Sequence, residues 1–296
     1  MSAAVPIRMP DVRRWPEVDV PVADAGALAA FLLRHPRTLV LTGAGISTGS
    51  GIPAYRDREG RWVHRQPMQY QAFMGSDRLR RRYWARSYLG WPRMQQARPN
   101  PAHSALASLQ QAGHLGGLVT QNVDRLHHKA GSPSVTELHG TLSEVVCQDC
   151  GRREPRESLQ AELSALNPGW VAAVHGLNPD GDAELDEDVY DDFRIAHCHG
   201  CGGVLKPDVV FFGESVPSAR VTAVRAALAI SDAVLVVGSS LVVWSGYRFA
   251  REAAAQGKPV VAINQGRTRA DGLLRFKVEA PCDAVLPAVA QQLSRG

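Results

Sequence analysis

The chain has 296 residues, of which 45% are hydrophobic and 21% are charged. This length allows one large α/β domain, or one large and one small domain, and the composition excludes a chain that is disordered throughout. The formal net charge is only +4, from 33 basic and 29 acidic residues. Because nucleic-acid binding needs a concentrated basic patch, this mild balance argues against a nucleic-acid partner.

The first residues lack the features of an export or anchoring segment. Positions 1–20 contain no long apolar run and carry acidic residues, which are unusual in signal and transit peptides. Asp232 interrupts the best candidate for a longer apolar run, so we expect no membrane span and a cytoplasmic location. Five cysteines in such a chain are more typical of metal ligands than of disulfides. The sequence carries no signal for the oligomeric state.

Apolar runs and helix signals predict alternating strands and helices in both outer thirds of the chain. The predicted elements, in chain order, are an extended arm at 1–23, a helix at 25–35 capped by Asp24, a strand at 38–42, a long loop with helices at 51–100, a helix at 102–111 opened by Asn100 and Pro101, short strands at 118–120 and 135–138, an apolar segment at 209–212, a helix at 217–229, a strand at 233–237, a helix at 246–256, a strand at 260–263 and a last helix at 285–293. Such alternation indicates an α/β fold with a doubly wound parallel sheet.

A glycine-rich loop follows the first predicted strand. Gly43, Ala44 and Gly45 open the run GAGISTG. Glycines at this place let the backbone approach a pyrophosphate, which the next helix N-terminus would also attract. The dehydrogenase spacing G-x-G-x-x-G fails because position 48 is threonine. The loop therefore indicates a nucleotide but not ordinary hydride transfer, and the alternative is a glycine turn without a ligand.

Two Cys-x-x-Cys pairs supply four thiolates. The first pair is Cys147 and Cys150, and the second is Cys198 and Cys201. Four thiolates form a closed tetrahedral sphere for Zn²⁺, which leaves no position for substrate and so predicts a structural metal. The long gap between the pairs indicates an insertion, and a redox disulfide is the alternative. Cys282 is left over, and its default role is that of a small buried side chain.

Polar residues follow the short predicted strands at 118–120 and 135–138. His139 lies where doubly wound sheets bind ligands, and an imidazole can take a proton from a ribose hydroxyl near neutral pH. His127 and His128 are rival candidates on sequence grounds. The side chains of Gln121, Asn122 and Asp124 follow a strand directly and are suited to bind a carboxamide or a ribose.

These features together resemble the sirtuins, which are NAD-dependent protein lysine deacylases, and most closely their class II branch. The resemblance extends from about residue 25 to residue 293. The matching segments are GAGISTGSGIPAYR, TQNVDRLHHKAG, ELHG, the four paired cysteines, LKPDVVFFGE, VGSSLVVWSGYRF and the IN at 263–264. One residue departs from the family pattern, because Ala54 stands where the family usually has aspartate, and this change is expected to weaken NAD binding or slow turnover.

The resemblance implies roles for the matching residues. The residues implied to contact NAD are Gly43, Ala44, Gly45, Tyr55, Arg56, Gln121, Asn122, Val123, Asp124, Gly238, Ser239, Ser240, Asn264, Gln265, Gly266 and Cys282. His139 would be the general base, with Asn122 beside it in catalysis, and the four paired cysteines would hold one structural Zn²⁺. The acyl-lysine peptide would lie between the two domains as an added strand, against Val210, Phe211, Phe212, Gly213 and Glu214 and against the segment after Ser240.

The resemblance also implies a division of the chain and a reaction. The Rossmann-like NAD-binding domain would comprise 24–50, 100–143 and 206–296, with a cofactor loop and small-domain helices at 51–99 and a zinc-binding module at 144–205. The acyl-lysine oxygen would attack the nicotinamide ribose, and the products would be lysine, nicotinamide and O-acyl-ADP-ribose. The alternatives are a mono-ADP-ribosyltransferase at the same NAD site and a non-catalytic zinc-ribbon binding module.

Two charged regions have a simpler interpretation. The acidic residues at 180, 182, 184, 186, 187, 188, 191 and 192 predict a solvated surface, as do the arginines at 78, 80, 81, 82 and 86. Tyr83 and Arg86 are three residues apart, so a helix would place them on one face. The pair resembles one that class III sirtuins use to hold acyl groups ending in a carboxylate, and the alternative is that Tyr83 packs in the core while Arg86 belongs to the surface.

Overall fold

The computed structural model describes residues 15, 17–57, 61, 63, 67–186 and 189–294. Most of the predicted arm at 1–23 lies outside the described residues, as do Glu187 and Asp188 of the acidic segment. Within the described part of the chain, no helix is both long and apolar enough to span a bilayer.

The described residues form helices and strands in the order that an α/β fold with an insertion requires. The helices are α1 Ala25–Arg34, α2 Tyr70–Gly75, α3 Asp77–Gln96, α4 Pro101–Gln111, α5 Leu126–Lys129, α6 Arg156–Leu166, α7 Ser218–Ile230, α8 Trp244–Ala255 and α9 Cys282–Leu293. The strands are β1 Thr38–Thr42, β2 Gly117–Thr120, β3 Thr136–Glu137, β4 Gly140–Cys147, β5 Arg153–Pro155, β6 Gly176–Leu177, β7 Ala183–Glu184, β8 Leu205–Val209, β9 Ala233–Val237, β10 Val260–Ile263 and β11 Leu274–Val278.

The central sheet has the parallel topology predicted from the sequence. Its six strands lie in the order β11-β10-β9-β1-β2-β3, and each neighbouring pair is parallel. Strands β2 and β3, which follow β1 in the chain, lie on one side of β1 in the sheet. The later strands β9, β10 and β11 lie on its other side. The order therefore reverses between β1 and β9, and ligands bind beyond the carboxyl ends of strands at such a point.

Both faces of this sheet are covered by helices. Strands β1 and β9 are buried at every position, which explains their nearly continuous apolar sequences. On one face, residues of α1, α4 and α9 such as Phe31, Leu106 and Leu286 form one hydrophobic cluster. On the other face, residues of α7 and α8 such as Leu228 and Phe249 form a second cluster. These helices cover the faces of the sheet but not its carboxyl edge, where a ligand-binding site can form.

Local sequence signals set the starts of two helices. The Asp24 carboxylate accepts a hydrogen bond of 2.8 Å from the Ala27 nitrogen at the start of α1. Asn100 caps α4, and Pro101 occupies its first position. Both caps occur where the sequence predicts them, because a side-chain oxygen there satisfies a backbone donor that has no partner within the helix.

A smaller domain is inserted between the two halves of the sheet. It contains an antiparallel sheet, β5-β4-β8, and a hydrophobic cluster that includes Phe73, Trp84, Leu159 and Phe193. The apolar segment 209–212 is not a strand along its length, because β8 ends at Val209, where it pairs with Gly140 of β4. Strand β4, helix α6 and the edge strand β11 were not predicted from the sequence.

The prediction that the acidic and arginine-rich segments are solvated is wrong for several residues. Asp182 is only 2% exposed, and burial raises its pKa well above the usual range of a carboxyl, with a further contribution from Asp180. Arg80 is largely covered and donates to the Phe73 and Met74 carbonyls. Arg78 remains largely exposed, as predicted. The two segments pack against each other, because Arg86 Nε donates to the Ala183 carbonyl at 2.9 Å.

We expect Gly90→Ala to lower the free energy of unfolding by about 1–3 kcal/mol, the usual range for overpacking. A Cβ at Gly90 in α3 would overlap the Gly181 carbonyl oxygen and lie 2.9 Å from the Ala183 nitrogen. In an uncrowded helix the same change is stabilising by up to about 1 kcal/mol. Gly75 in α2 is the matched control, because nothing lies within 4 Å of a Cβ there. Equal urea midpoints for the two variants would contradict this packing.

Candidate active site

A cleft of about 1020 Å³ lies at the carboxyl edge of the central sheet. It brings together almost all the residues that the resemblance implies for NAD, namely Gly43, Ala44, Gly45, Tyr55, Arg56, Gln121, Asn122, Val123, Asp124, Gly238, Ser239, Ser240, Asn264, Gln265 and Cys282. Gly266 is not among the lining residues, although its carbonyl accepts a bond from Asn264 Nδ2 at 3.2 Å. Ala54 also lines the cleft, beside Tyr55.

The glycine loop is pressed against the end of β9. The Gly45 nitrogen donates to the Gly238 carbonyl at 2.8 Å. A Cβ at Gly43 would lie 2.7 Å from the Ser239 Cβ, and a Cβ at Gly45 would lie 2.8 Å from the Gly238 oxygen. Larger side chains would therefore push the two loops apart, so the backbone itself forms this wall of the cleft. A bare backbone at a helix-like turn fits a phosphate group.

The QNVD segment is tied to the glycine loop by side-chain hydrogen bonds. Ser47 Oγ donates to Asp124 Oδ2 at 2.7 Å, and Asn122 Nδ2 donates to Ser47 Oγ at 3.0 Å. Asp124 is buried, which raises its pKa, although its bonds to the Leu126 nitrogen and to Ser47 lower it. Sequence reasoning missed Ser47, because nothing in GISTG indicates a partner 77 residues away. These bonds hold the carboxamide of Asn122 at the cleft wall.

His139 has one nitrogen fixed to the backbone and the other toward the cleft. Its Nδ1 lies 3.0 Å from the Gln121 carbonyl, and because a carbonyl only accepts, Nδ1 carries the hydrogen. Its Nε2 therefore accepts from Ser245 Oγ at 2.7 Å, and both residues line the cleft. This tautomer presents a lone pair that can take a proton. The sequence gave no sign of Ser245, which is 106 residues away.

The two rival histidines do not line the cleft. His127 is buried, and its Nε2 lies 3.0 Å from Thr42 Oγ1. Burial lowers the pKa of His127 to about 3, with smaller effects from His103 and His128. His128 Nδ1 lies 3.6 Å from Glu137 Oε1. Of the three candidates, only His139 faces the cleft, so the structure favours it as the base.

The four paired cysteines form one cluster whose geometry fits zinc. Their Sγ atoms all lie within 4.8 Å of one another, with Cys147 and Cys201 at 3.5 Å and Cys150 and Cys198 at 3.7 Å. In a tetrahedral site with Zn–S bonds of about 2.3 Å, neighbouring sulfurs are about 3.8 Å apart. Four thiolates leave no open position on the metal, so the site fits a structural role, and the metal would hold the ends of β4 and β8 together.

Comparisons with known proteins agree with this geometry. The sequence model of the Sir2 family matches residues 43–245. The chain belongs to the Sir2 family. It is 55% identical over 267 residues to an NAD-dependent protein deacetylase of Xanthomonas axonopodis pv. citri, covering 90% of this chain and 91% of the relative. It is 54% identical over 272 residues to an NAD-dependent protein deacetylase of Bordetella bronchiseptica, covering 92% of this chain and 99% of the relative.

Solved structures of the same family share the fold. A structure described as Sir2 with a p53 peptide and NAD⁺ superposes with a TM-score of 0.75 at 27% identity. The match covers 93% of this chain and 100% of that one. A structure of Sir2 bound to acetylated peptide superposes with a TM-score of 0.74 at 26% identity. It covers 93% of this chain and 100% of that one. The Rossmann-like fold with an inserted cysteine module is therefore the fold of the Sir2 family.

A second wall of the cleft in this Sir2-family protein is the segment after β8. Val210, Phe211, Phe212, Gly213 and Glu214 all line the cleft. The Val210 nitrogen donates to the His139 carbonyl at 2.9 Å, which fixes this segment beside the candidate base. Glu214 Oε2 accepts from the Phe211 nitrogen at 2.9 Å and from Lys206 Nζ at 3.1 Å.

The Lys206 side chain is only 4% exposed, and burial lowers its pKa, while the charge and hydrogen bond of Glu214 raise it. Sequence reasoning missed this buried ion pair, although LKPDVVFFGE contains both residues. The pair closes the turn that carries Phe211 and therefore fixes the shape of this wall.

Tyr83 and Arg86 of the Sir2-family protein are not brought to the cleft. Tyr83 is 2% exposed, and its ring packs against Phe73 and Phe211 in the small domain. Arg86 donates to the Ala183 carbonyl instead. The structure therefore agrees with the alternative for Tyr83, which packs in the core, but Arg86 is part-buried against Ala183 rather than belonging to the solvated surface. Asp180 does line the cleft, which corrects the prediction of a solvated role for this residue.

As the pH is lowered, we expect kcat/KM to decline only well below the pKa of an ordinary histidine, which is about 6.5. Burial lowers the pKa of His139 to about 4, with smaller effects from Arg220 and Arg248, while the bond to Gln121 raises it. His139 is therefore neutral, and able to accept a proton, down to mildly acidic pH. The measurement is kcat/KM from about pH 8 to about pH 5, with circular dichroism at each pH as the folding control. A decline centred near pH 6.5 in folded protein would contradict it.

Proposed function

We propose that this Sir2-family protein is an NAD-dependent protein lysine deacylase that transfers the acyl group of an acyl-lysine to ADP-ribose and releases nicotinamide. The observation that carries the proposal is the position of His139. Its Nε2 accepts from Ser245 in a cleft that also contains the Gly43–Gly45 loop, so a base and a phosphate-binding wall share one space. Relatives that are 54–55% identical are NAD-dependent protein deacetylases, which supports the same activity here.

NAD is a substrate in this proposal, and the cleft residues divide its parts among them. The glycine loop with Ser239 and Ser240 binds the diphosphate, because bare backbone and hydroxyl groups suit phosphate oxygens. Asn264 and Gln265, after β10, bind the adenosine end near Cys282. Gln121, Asn122, Val123 and Asp124 hold the nicotinamide ribose, and Tyr55 with Arg56 covers it. Asn122 is assigned to catalysis with His139 because Ser47 and Gly43 orient its amide.

The acyl-lysine peptide lies as an extended segment between Val210–Glu214 and the residues after Ser240, which line the same cleft, with its lysine directed toward His139. The amide oxygen attacks the anomeric carbon of the ribose, and the carbon–nitrogen bond to nicotinamide breaks with its electron pair leaving on nicotinamide. His139 Nε2 then takes the proton from a ribose hydroxyl, whose oxygen attacks the imidate carbon. One water is consumed when lysine is released, and O-acyl-ADP-ribose is the other product. The walls of the cleft keep other water from the cationic intermediate.

The test is turnover of NAD with a panel of acylated lysine peptides, with product masses read directly. Equal amounts of nicotinamide, free lysine peptide and O-acyl-ADP-ribose are expected. The alternative, a mono-ADP-ribosyltransferase at the same NAD site, would instead leave ADP-ribose on protein, which biotinylated NAD would detect. Label transfer without loss of the acyl group would overturn the proposal in favour of that alternative.

Two finer assignments belong to the same proposal. We assign the protein to the class II branch of sirtuins on the segments quoted from its sequence. We place its activity in the cytoplasm, which its bacterial relatives support. Its partners are acyl-lysine proteins or peptides. Recovery of the native protein from cytosolic and membrane fractions would test the location.

A further inference from the structure

One tryptophan at the mouth of the cleft is exposed and surrounded by arginines. Trp244, the first residue of α8, is 47% exposed. The guanidinium carbon of Arg251 lies 5.6 Å from its ring centroid, and that of Arg269 lies 5.5 Å from it. Trp244, Arg269 and Arg248 also line the cleft. These four residues, Trp244, Arg248, Arg251 and Arg269, are called the tryptophan–arginine patch below.

The positive charge of the patch is not neutralised within the described part of the chain. None of its three arginines forms a salt bridge there. The nearby carboxylate of Glu252 is engaged by Arg225, with oxygen–nitrogen distances of 2.7 and 3.1 Å. Arg269 donates to the Val242 carbonyl at 3.0 Å, and Arg248 donates to the Ser245 carbonyl at 3.2 Å. Each of these arginines has further N–H donors besides the one it uses.

Within the patch, Arg269 is held in place by two aromatic rings, which distinguishes it from a solvated surface charge. The guanidinium of Arg269 lies 4.4 Å from the ring centroid of Tyr247 as well as beside Trp244, and the two rings are 5.8 Å apart. A guanidinium next to an aromatic face keeps donors at its edge that fit a carboxylate. Stacking also reduces the side-chain entropy that such an arginine would lose when it binds.

The patch lies close to the candidate base. Ser245, which follows Trp244, holds His139 Nε2 at 2.7 Å through its hydroxyl. An extended peptide advances roughly 3.3–3.6 Å per residue. A substrate whose lysine reaches His139 therefore brings its near neighbours in sequence to the patch.

We propose that the tryptophan–arginine patch selects acyl-lysine sites that have aspartate or glutamate within a few residues of the lysine. The proposal rests on the deacylase function proposed above and names the class of substrate for the same cleft. The acidic side chain binds between Arg251 and Arg269 over Trp244. Charge complementarity of this kind acts on capture and specificity more than on the chemical step. The effect is therefore on KM, with kcat unchanged.

The experiment compares acyl-lysine peptides that are identical except for their flanking residues, which are aspartate, asparagine or lysine. Aspartate is expected to lower KM by about threefold to tenfold relative to asparagine, the range for a partly exposed charge-assisted pair. Lysine is expected to raise KM. The advantage of aspartate should shrink as salt is raised, because exposed charges are screened.

Substitutions within the patch test whether it causes the preference for aspartate. Arg251→Gln and Arg269→Gln should each reduce the aspartate advantage while leaving the KM for the asparagine peptide within about twofold, the scatter expected of surface changes. Trp244→Leu should weaken the advantage without removing a charge. Arg34→Gln is the matched control, because Arg34 is an exposed arginine in the last turn of α1, and α1 packs on the opposite face of the sheet from α8.

The outcomes separate this proposal from the proposed function. If the acyl group is not released from any of the peptides, the proposed deacylase function is itself wrong. Acyl removal with equal KM values for all three peptides would overturn the patch proposal alone. An aspartate preference that persists in both arginine variants, or that Arg34→Gln also lowers, would show that general charge rather than this patch is responsible.

Discussion

His139→Ala is expected to reduce deacylation by about 10²-fold or more, the scale of a lost general base. The imidazole is the only one of the candidate histidines that faces the cleft, and its Nε2 is kept free of a proton by the bond from Nδ1 to Gln121. Removal of the ring leaves no comparable acceptor at Ser245. The measurement is steady-state turnover of acyl-lysine peptide with saturating NAD, together with urea unfolding to establish that the variant is folded.

A second readout tests the place of His139 in the reaction. In the proposed mechanism the base acts after nicotinamide has left, so exchange of labelled nicotinamide into NAD should fall much less than deacylation. His175→Ala is the matched control, because His175 is an exposed histidine whose imidazole faces Asp186, and it should leave both rates unchanged. Near-normal deacylation in folded His139→Ala would remove this residue from the mechanism, and equal loss of exchange would move its action to the first step.

Cys147→Ser is expected to remove the metal and unfold the inserted domain. Metal binding supplies folding free energy, of about 10–16 kcal/mol in isolated zinc-finger peptides. Cys147 and Cys198 are buried in the same hydrophobic cluster as Val145 and Leu205, so an unsatisfied site would disturb that core. Native protein should contain about one zinc per chain, measured by elemental analysis, and the variant should contain none.

Loss of zinc should also disturb the position of the candidate base, His139. Cys147 pairs with Leu205 in the small sheet, and the same two strands continue to Gly140 and Val209, next to His139. We therefore expect activity to fall with zinc content when a chelator is titrated. Cys282→Ser is the matched control for zinc content, because Cys282 lies outside the four-cysteine cluster. Folded, active protein without metal would contradict a structural role.

Local patterns in the sequence were sufficient for the frame of the fold. The strands Thr38–Thr42 and Ala233–Val237 have the predicted bounds, because a parallel strand buried on both faces has a nearly continuous apolar sequence. Asp24 and Asn100 begin their helices as predicted, because a cap acts within three residues of itself. The cysteine pairs indicated zinc because each pair brings its own two ligands together. Each of these signals depends on neighbours in the chain.

Tertiary packing decided which side chains meet in the site. The sequence placed Tyr83 and Arg86 on one helical face, but only the packing of α3 shows that Tyr83 faces the core and Arg86 faces Ala183. The acidic segment was expected to be solvated, yet Asp180 lines the cleft and Asp182 is buried.

The contact between Ser245 and His139 likewise joins residues 106 positions apart. Helical or strand periodicity specifies that a face is buried, whereas the partner on that face depends on how distant segments pack. The sequence by itself therefore determined most strands of the central sheet, the four cysteines that cluster and the family. The tertiary structure alone decided the orientation of His139 and the arginines that surround Trp244.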